Sequence, residues 1–394
     1  MRKILIIIML YGVCFGQNSL IVTSNWVLTF YKKIISPLQG QDICNFSPTC
    51  SQFYRQSINK YGFFVGSMIG ADRLLRCNPS AWSYFDKYYF GISDYRISDL
   101  PENHYIKNVR QRFSTVQNGA TLNDYLLPSD SLQTNNQKPK TNLDFSNYLF
   151  QSEDYVRAIS EYKRLLFSDA DTQDCAKEYV QLMLGECYLR IKEYNQALTY
   201  FNTGKNFYFT YGRARTYFEN SNYVKARDEL NTLVNSQFDK ERIILTGVSY
   251  FRERNFIAGT KFFRNYSTDS LLNRLSKYDG KGIKKRNSVA SSLFSSVIPG
   301  SGQVYSGRLG DGLYSFLTVV GSGLIADYYY YHDESKIKFS IFTFLTAFFW
   351  AGNIYGANIA AREYNEFQVR KYQSRIESDI EGFSFTPDYQ EIRR

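Results

Sequence analysis

Three cysteines, Cys44, Cys50 and Cys77, carry the most reactive side chains in the best-patterned stretch of this 394-residue chain. Their spacing permits four chemistries. They could begin a zinc site, but no fourth ligand stands at a usual zinc spacing, so no metal is expected. In an oxidising compartment, a Cys44–Cys50 or Cys50–Cys77 disulfide could staple a domain with too little core of its own. In a reducing compartment the thiols would pack as small apolar groups. A catalytic thiol needs a base beside it. The chain has two histidines, His104 and His332, and neither is close to a cysteine in sequence. Both are expected at the surface. Their scarcity argues against a histidine metal centre and a Ser-His-Asp triad. No catalytic, cofactor-binding or metal residues emerge, and the chain is expected not to be an enzyme.

The elements around the thiols can be read from their breakers. Trp26, Val27, Phe30, Tyr31, Ile34 and Ile35 line one face of a helix, with Lys32 and Lys33 off that face. Such a stripe lies in a membrane interface or packs on its own domain. Ser36-Pro37 ends it, because the residue before a proline avoids helical dihedrals. Ser47 then reads as an N-cap with Pro48 as the first helical residue, so a second helix is expected over Thr49–Tyr61, ended by Gly62. A third runs from Phe63 to Cys77 and stops at Asn78-Pro79. Its apolar positions leave Arg73 and Arg76 on another side.

These residues resemble the YidD family of small bacterial membrane protein insertion efficiency factors. The resemblance rests on Ile35-Ser36-Pro37-Leu38, on Cys44-Asn45-Phe46-Ser47-Pro48-Thr49-Cys50-Ser51, on Tyr54, and on Arg73-Leu74-Leu75-Arg76-Cys77-Asn78-Pro79. It covers about residues 25–82. It implies a protein that works beside a YidC/Oxa-type insertase and the Sec translocon, helping nascent proteins enter the bilayer without enzyme activity.

The rest of the chain adds modules. Net charge is +10, which favours an anionic partner such as phospholipid headgroups; no specific nucleic-acid partner is expected. The 34 tyrosines and 31 phenylalanines suit helical repeats and membrane interfaces. Residues 1–16 have the layout of a signal peptide or signal anchor: Arg2 and Lys3, a short apolar core, then a small-residue exit. Residues 83–142 read as an aromatic stretch that fades into a flexible polar linker. In residues 143–266, Gly185, Tyr188, Ala197 and Phe201 stand at tetratricopeptide (TPR) spacings, and Ala226 recurs in phase. Four helix pairs are expected, with a polypeptide partner on their concave face. Cys175 and Cys187 belong to these repeats as packing residues.

Residues 288–361 read as a membrane hairpin, opened by Pro299-Gly300-Ser301-Gly302 and continued by two apolar runs. A further crossing over Val289–Tyr305 would be a poor one, interrupted by Pro299. Residues 362–394 read as a charged tail. The side of the membrane that faces residues 25–82 is left open, because the signal-like start and the basic run Lys281–Arg286 pull in opposite directions.

The expectation is therefore all-α: a small YidD-like domain, a TPR-like α-solenoid and a transmembrane helical hairpin. The location is the bacterial inner membrane. Trp26, Phe30, Lys32, Lys33 and Ile34 would touch lipid, and Arg73 and Arg76 would touch lipid or the insertion machinery. The alternative function is a membrane-anchored TPR scaffold of the envelope that binds a protein partner.

Overall fold

The computed structural model describes residues 19–25, 29, 44–109, 141–167, 174–266, 269–333, 335–381, 383, 385 and 387. Among the described residues the fold is all-α apart from three very short strands. Two compact units divide the chain: Met1–Val116 with Lys284–Arg370, and Gln117–Ile283 with Lys371–Arg394. The proposed signal segment, Trp26, Phe30, Lys32, Lys33, Ile34, Ser36, Pro37 and residues 110–140 lie outside the described residues.

In the first unit, β1 (Phe46–Ser47) precedes α1 (Cys50–Tyr61) and α2 (Phe63–Arg76). Helix α1 starts later than Ser47-Pro48 suggested. Thr49 is its cap, and both its backbone N–H and its hydroxyl donate to Gln52 Oε1, at 3.1 and 3.0 Å. A capping box therefore displaces the Ser-Pro signal. Asn78 caps the short 3-10 turn Pro79–Tyr84 by accepting from Ser80 N at 2.9 Å.

The aromatic stretch folds onto this unit. Strands β2 (Ile92–Ser93) and β3 (Arg96–Ser98) pair antiparallel, and β3 pairs parallel with β1, placing Phe46 opposite Ile97. Tyr84, Tyr88, Tyr89, Ile97 and Val109 form one core with Phe46, Phe53 and Ile69. Alternation was hidden here because each strand is too short to show a period.

Helix α12 is the first element of the C-terminal part of this unit. It is numbered after the helices that the described residues of the second unit form: α3 (Asn142–Gln151), α4 (Tyr155–Phe167), α5 (Asp174–Arg190), α6 (Tyr194–Phe201), α7 (Phe207–Glu219), α8 (Tyr223–Asn231), α9 (Asp239–Arg252), α10 (Phe256–Arg264) and α11 (Ser270–Leu275). Then follow α12 (Ser288–Val297), α13 (Ser301–Tyr305), α14 (Leu309–Tyr331) and α15 (Lys336–Ile380).

The region 289–305 is a broken pair rather than a crossing. Gly300 sits at φ 84°, and a Cβ there would fall 1.9 Å from the Gly312 carbonyl oxygen, so only glycine fits the turn. Gln303 anchors the pair to α15, donating from Nε2 to Asn353 O at 3.0 Å, while its Oε1 accepts from Ser295 Oγ at 2.8 Å.

Helices α14 and α15 are each long and apolar enough to cross a membrane, and only 28% and 11% of their apolar windows are buried. A core helix of a water-soluble protein would be mostly covered, whereas these expose Leu313, Phe316, Leu317, Leu324, Ile341 and Phe344. Helix α15 does not end at Ala361. No proline or glycine interrupts residues 357–380, so the helix runs on through the expected charged tail. His332 follows α14, exposed as expected, and stacks on Tyr328.

In the second unit, α3/α4, α5/α6, α7/α8 and α9/α10 are four helix pairs with one recurring turn. Glu153, Lys192, Ser221 and Arg254 each adopt φ between 59 and 65°, two residues before the second helix of the pair. The next residue in each case donates its backbone N–H to a carbonyl five residues back: Asp154 to Leu149, Glu193 to Tyr188, Asn222 to Tyr217, and Asn255 to Tyr250, at 2.8–2.9 Å. Ala158, Ala197 and Ala226 are buried completely. Phe201 packs so tightly on Gly185 that a Cβ there would lie 2.7 Å from its ring, and Tyr188 stacks on Tyr200.

A side chain in the left-handed region costs about 1 kcal/mol that glycine avoids. Lys192 is exposed in that region. Lys192→Gly is therefore expected to stabilise the array by about 0.5–1 kcal/mol in thermal denaturation. A loss of stability of that size would show that the turn is not held in this conformation.

Candidate functional site

The site is built from α2 outward. Arg73 and Arg76 end this helix, where cations complement its dipole. They do not reach lipid or a partner, as their position off the apolar stripe suggested. Arg73 is fully buried and Arg76 nearly so. Arg73 lays its guanidinium 3.5 Å above the Phe46 ring. Both arginines meet Asp99 Oδ2, Arg73 through Nε at 3.3 Å and Arg76 through Nη1 at 3.4 Å. Arg76 also donates to Asp72 Oδ2 and to the Tyr89 hydroxyl, each at 2.9 Å.

Asp99 is the hub. Its Oδ1 lies 2.6 Å from His104 Nε2. His104 is thus buried at the centre of the unit rather than at its surface. Burial raises the Asp99 carboxyl, but His104, Arg73 and Arg76 together outweigh that and hold it well below the ordinary carboxylate range. Burial, reinforced by Arg76, pushes His104 down to about 4, so it is neutral at pH 7. Burial lifts Asp72 to about 6, against the pull of Arg76.

This network continues into the hairpin. Asn78 donates from Nδ2 to Asp311 Oδ1 at 2.9 Å. Arg308, also buried, meets Glu363 and, at 3.5 Å, Asp311. Glu363 Oε1 comes within 3.9 Å of His104 Nδ1. The Tyr355 hydroxyl donates to His104 O at 2.6 Å, and Gly310 N donates to the Tyr84 hydroxyl at 3.1 Å. Close packing accompanies the polar seam. A Cβ on Gly352 would fall 2.4 Å from Ala71 Cβ, and one on Gly356 would fall 2.0 Å from Asp72 Oδ1. Gly352 and Gly356 form the small-x3-small pattern that lets helices approach in a bilayer. That spacing is the local sequence signal for this contact.

The thiols cluster at the edge of the same core. Cys44 precedes β1, Cys50 opens α1, and Cys77 follows α2. Cys44 Sγ stands 3.3 Å from Cys50 Sγ and 3.7 Å from Cys77 Sγ. All three are free thiols and half-buried. Pro48, Thr49 and Ser51 line the start of α1, and Pro79 is exposed.

Residues 21–89 match a family described as "Putative membrane protein insertion efficiency factor", YidD. A relative from Clostridium perfringens with that description is 45% identical over 60 residues, which make up 86% of the relative and 15% of this chain. One from Clostridium beijerinckii is 47% identical over the same length and shares. The chain belongs to the YidD family. One from Thermotoga maritima is 40% identical over 60 residues, 73% of that relative. No solved structure matches the chain. The matched YidD region ends at Tyr89, yet Asp99, His104, Arg308 and Glu363 complete its buried network from outside it.

Proposed function

We propose that this protein assists the insertion of integral proteins into the bacterial inner membrane, alongside a YidC/Oxa-type insertase and the Sec translocon. The match of residues 21–89 to insertion efficiency factors carries this reading. The apolar pair α14 and α15 would hold the YidD domain at the bilayer. The stripe with Trp26, Phe30, Lys32, Lys33 and Ile34 would rest on lipid headgroups. The burial of Arg73 and Arg76 removes them from that contact and makes them internal struts. The four helix pairs are read as a TPR-like array, supported by their recurring turn, and would hold a polypeptide partner.

The test is protease protection of a reporter membrane protein in cells that lack this chain. Inserted reporter is expected to fall and to recover when the full chain is restored. Equal insertion with and without the chain would refute the reading.

A further inference from the structure

We propose that Cys44, Cys50 and Cys77 form a metal site that takes one thiophilic divalent cation, Zn2+, as a tris-thiolate. This goes beyond insertion activity and does not depend on it. The sequence holds no fourth ligand at a familiar zinc spacing. The fold supplies a different fact: the close pair Cys44 and Cys50 is joined by Cys77 from the far end of α2, and all three sulfurs lie within 4.8 Å of one another.

The separations fit an ion. A tetrahedral centre with metal–sulfur bonds of about 2.3 Å holds its thiolates about 3.8 Å apart. Here Cys77 Sγ stands 3.7 Å from Cys44 Sγ, at that spacing, and Cys50 Sγ stands 3.3 Å from it, so Cys50 would move outward by about 0.5 Å on binding. A disulfide would use two sulfurs and leave the third without a role. Convergence of three sulfurs is what a thiolate-bound cation requires, and thiolates select zinc over magnesium or calcium.

The surroundings are held in place. Thr49 and Gln52 fix the start of α1 at Cys50. Cys77 N donates to Leu74 O at 3.3 Å, and Asn45 Nδ2 donates to Asn78 O at 3.0 Å, tying the Cys44 and Cys77 segments together. Charge is balanced as well. Three thiolates around a dication leave one net negative charge. The N-terminus of the twelve-residue α1 and the nearby Arg73 offset it. Arg73 is fully buried, and its Nη1 has no hydrogen-bond partner among the described residues.

Binding releases three thiol protons to solvent and involves no redox change. One tetrahedral position is left for water or an external donor. The ion would clamp the lead-in to β1, the start of α1 and the end of α2.

The experiment uses the full chain in detergent under reductant, loaded with Zn2+, dialysed, and assayed by elemental mass spectrometry. One zinc per chain is expected. Cys44→Ser, Cys50→Ser and Cys77→Ser should each reduce it to near zero, with helicity checked by circular dichroism, while Cys187→Ala keeps it. Co2+ added to the unmodified protein should give a sulfur-to-cobalt charge-transfer band, a readout that needs no variant. No zinc and no cobalt band with all thiols reduced would overturn the proposal. So would zinc retained by every thiol variant, or a Cys44–Cys50 disulfide trapped in protein taken directly from cells.

Discussion

Asp99→Ala is expected to lower the stability of the first unit by about 3–5 kcal/mol, the cost of breaking a buried ion pair from one side. Asp99 lies on two guanidiniums and a histidine, and every one of these groups is buried. Removing it leaves Arg73 and Arg76 in a low dielectric with Asp72 as the remaining carboxylate in reach of Arg76. The expected readout is a marked fall in the midpoint of thermal unfolding of the detergent-solubilised chain. Asp99→Asn keeps the shape and loses the charge, so it should recover little. A loss below about 1 kcal/mol for Asp99→Ala would mean that water reaches the site. The pH dependence has a definite sign. The Asp99 carboxyl is lowered by folding, so its stabilisation is complete above an ordinary carboxylate pKa of about 4 and drains away as pH falls below it.

Gly352→Leu is expected to force the YidD domain and the hairpin apart. The clash is with Ala71, including its backbone carbon at 3.0 Å from the added Cβ, so no flexible side chain can swing away. Overpacking of this kind costs about 1–3 kcal/mol or more. It should also open the seam in which Asn78 meets Asp311, exposing the α2 segment to proteolysis. The matched control is Gly321→Ala on α14, where an added Cβ meets nothing within 4 Å. That change should leave stability unaltered or raise it by up to about 1 kcal/mol, from helix propensity alone. Equal protease resistance of Gly352→Leu and Gly321→Ala would show that the contact is loose.

Local chemistry was legible in the sequence and long-range burial was not. Gly62 ends α1, Arg76 ends α2 one residue short of the expected Cys77, and the two apolar runs became α14 and α15. Each of these follows from breakers or periodicity within a few residues. The start of α1 moved because Thr49 and Gln52 cap better than Ser47 with Pro48, a contest that a single motif cannot settle. Arg73, Arg76 and His104 were placed at a surface because polar residues usually are. Their partners are distant in sequence: Asp99 pairs with both arginines, Glu363 approaches His104 from 259 positions away, and no local pattern announces them. The thiols were legible as a motif, but their convergence required α1 and α2 to fold back on each other.

The seam between the YidD domain and the hairpin joins parts of one polypeptide. Two separate chains meeting through Arg308, Asp311, Glu363 and the Gly352/Gly356 face would form a complex whose occupancy falls on dilution. Tethering replaces bulk concentration by an effective one that no change in expression level alters. The cost of closing the intervening chain grows only as the logarithm of its length. Each copy of this protein therefore carries its own hairpin in fixed one-to-one stoichiometry, and the seam should stay filled however scarce the protein becomes in the cell.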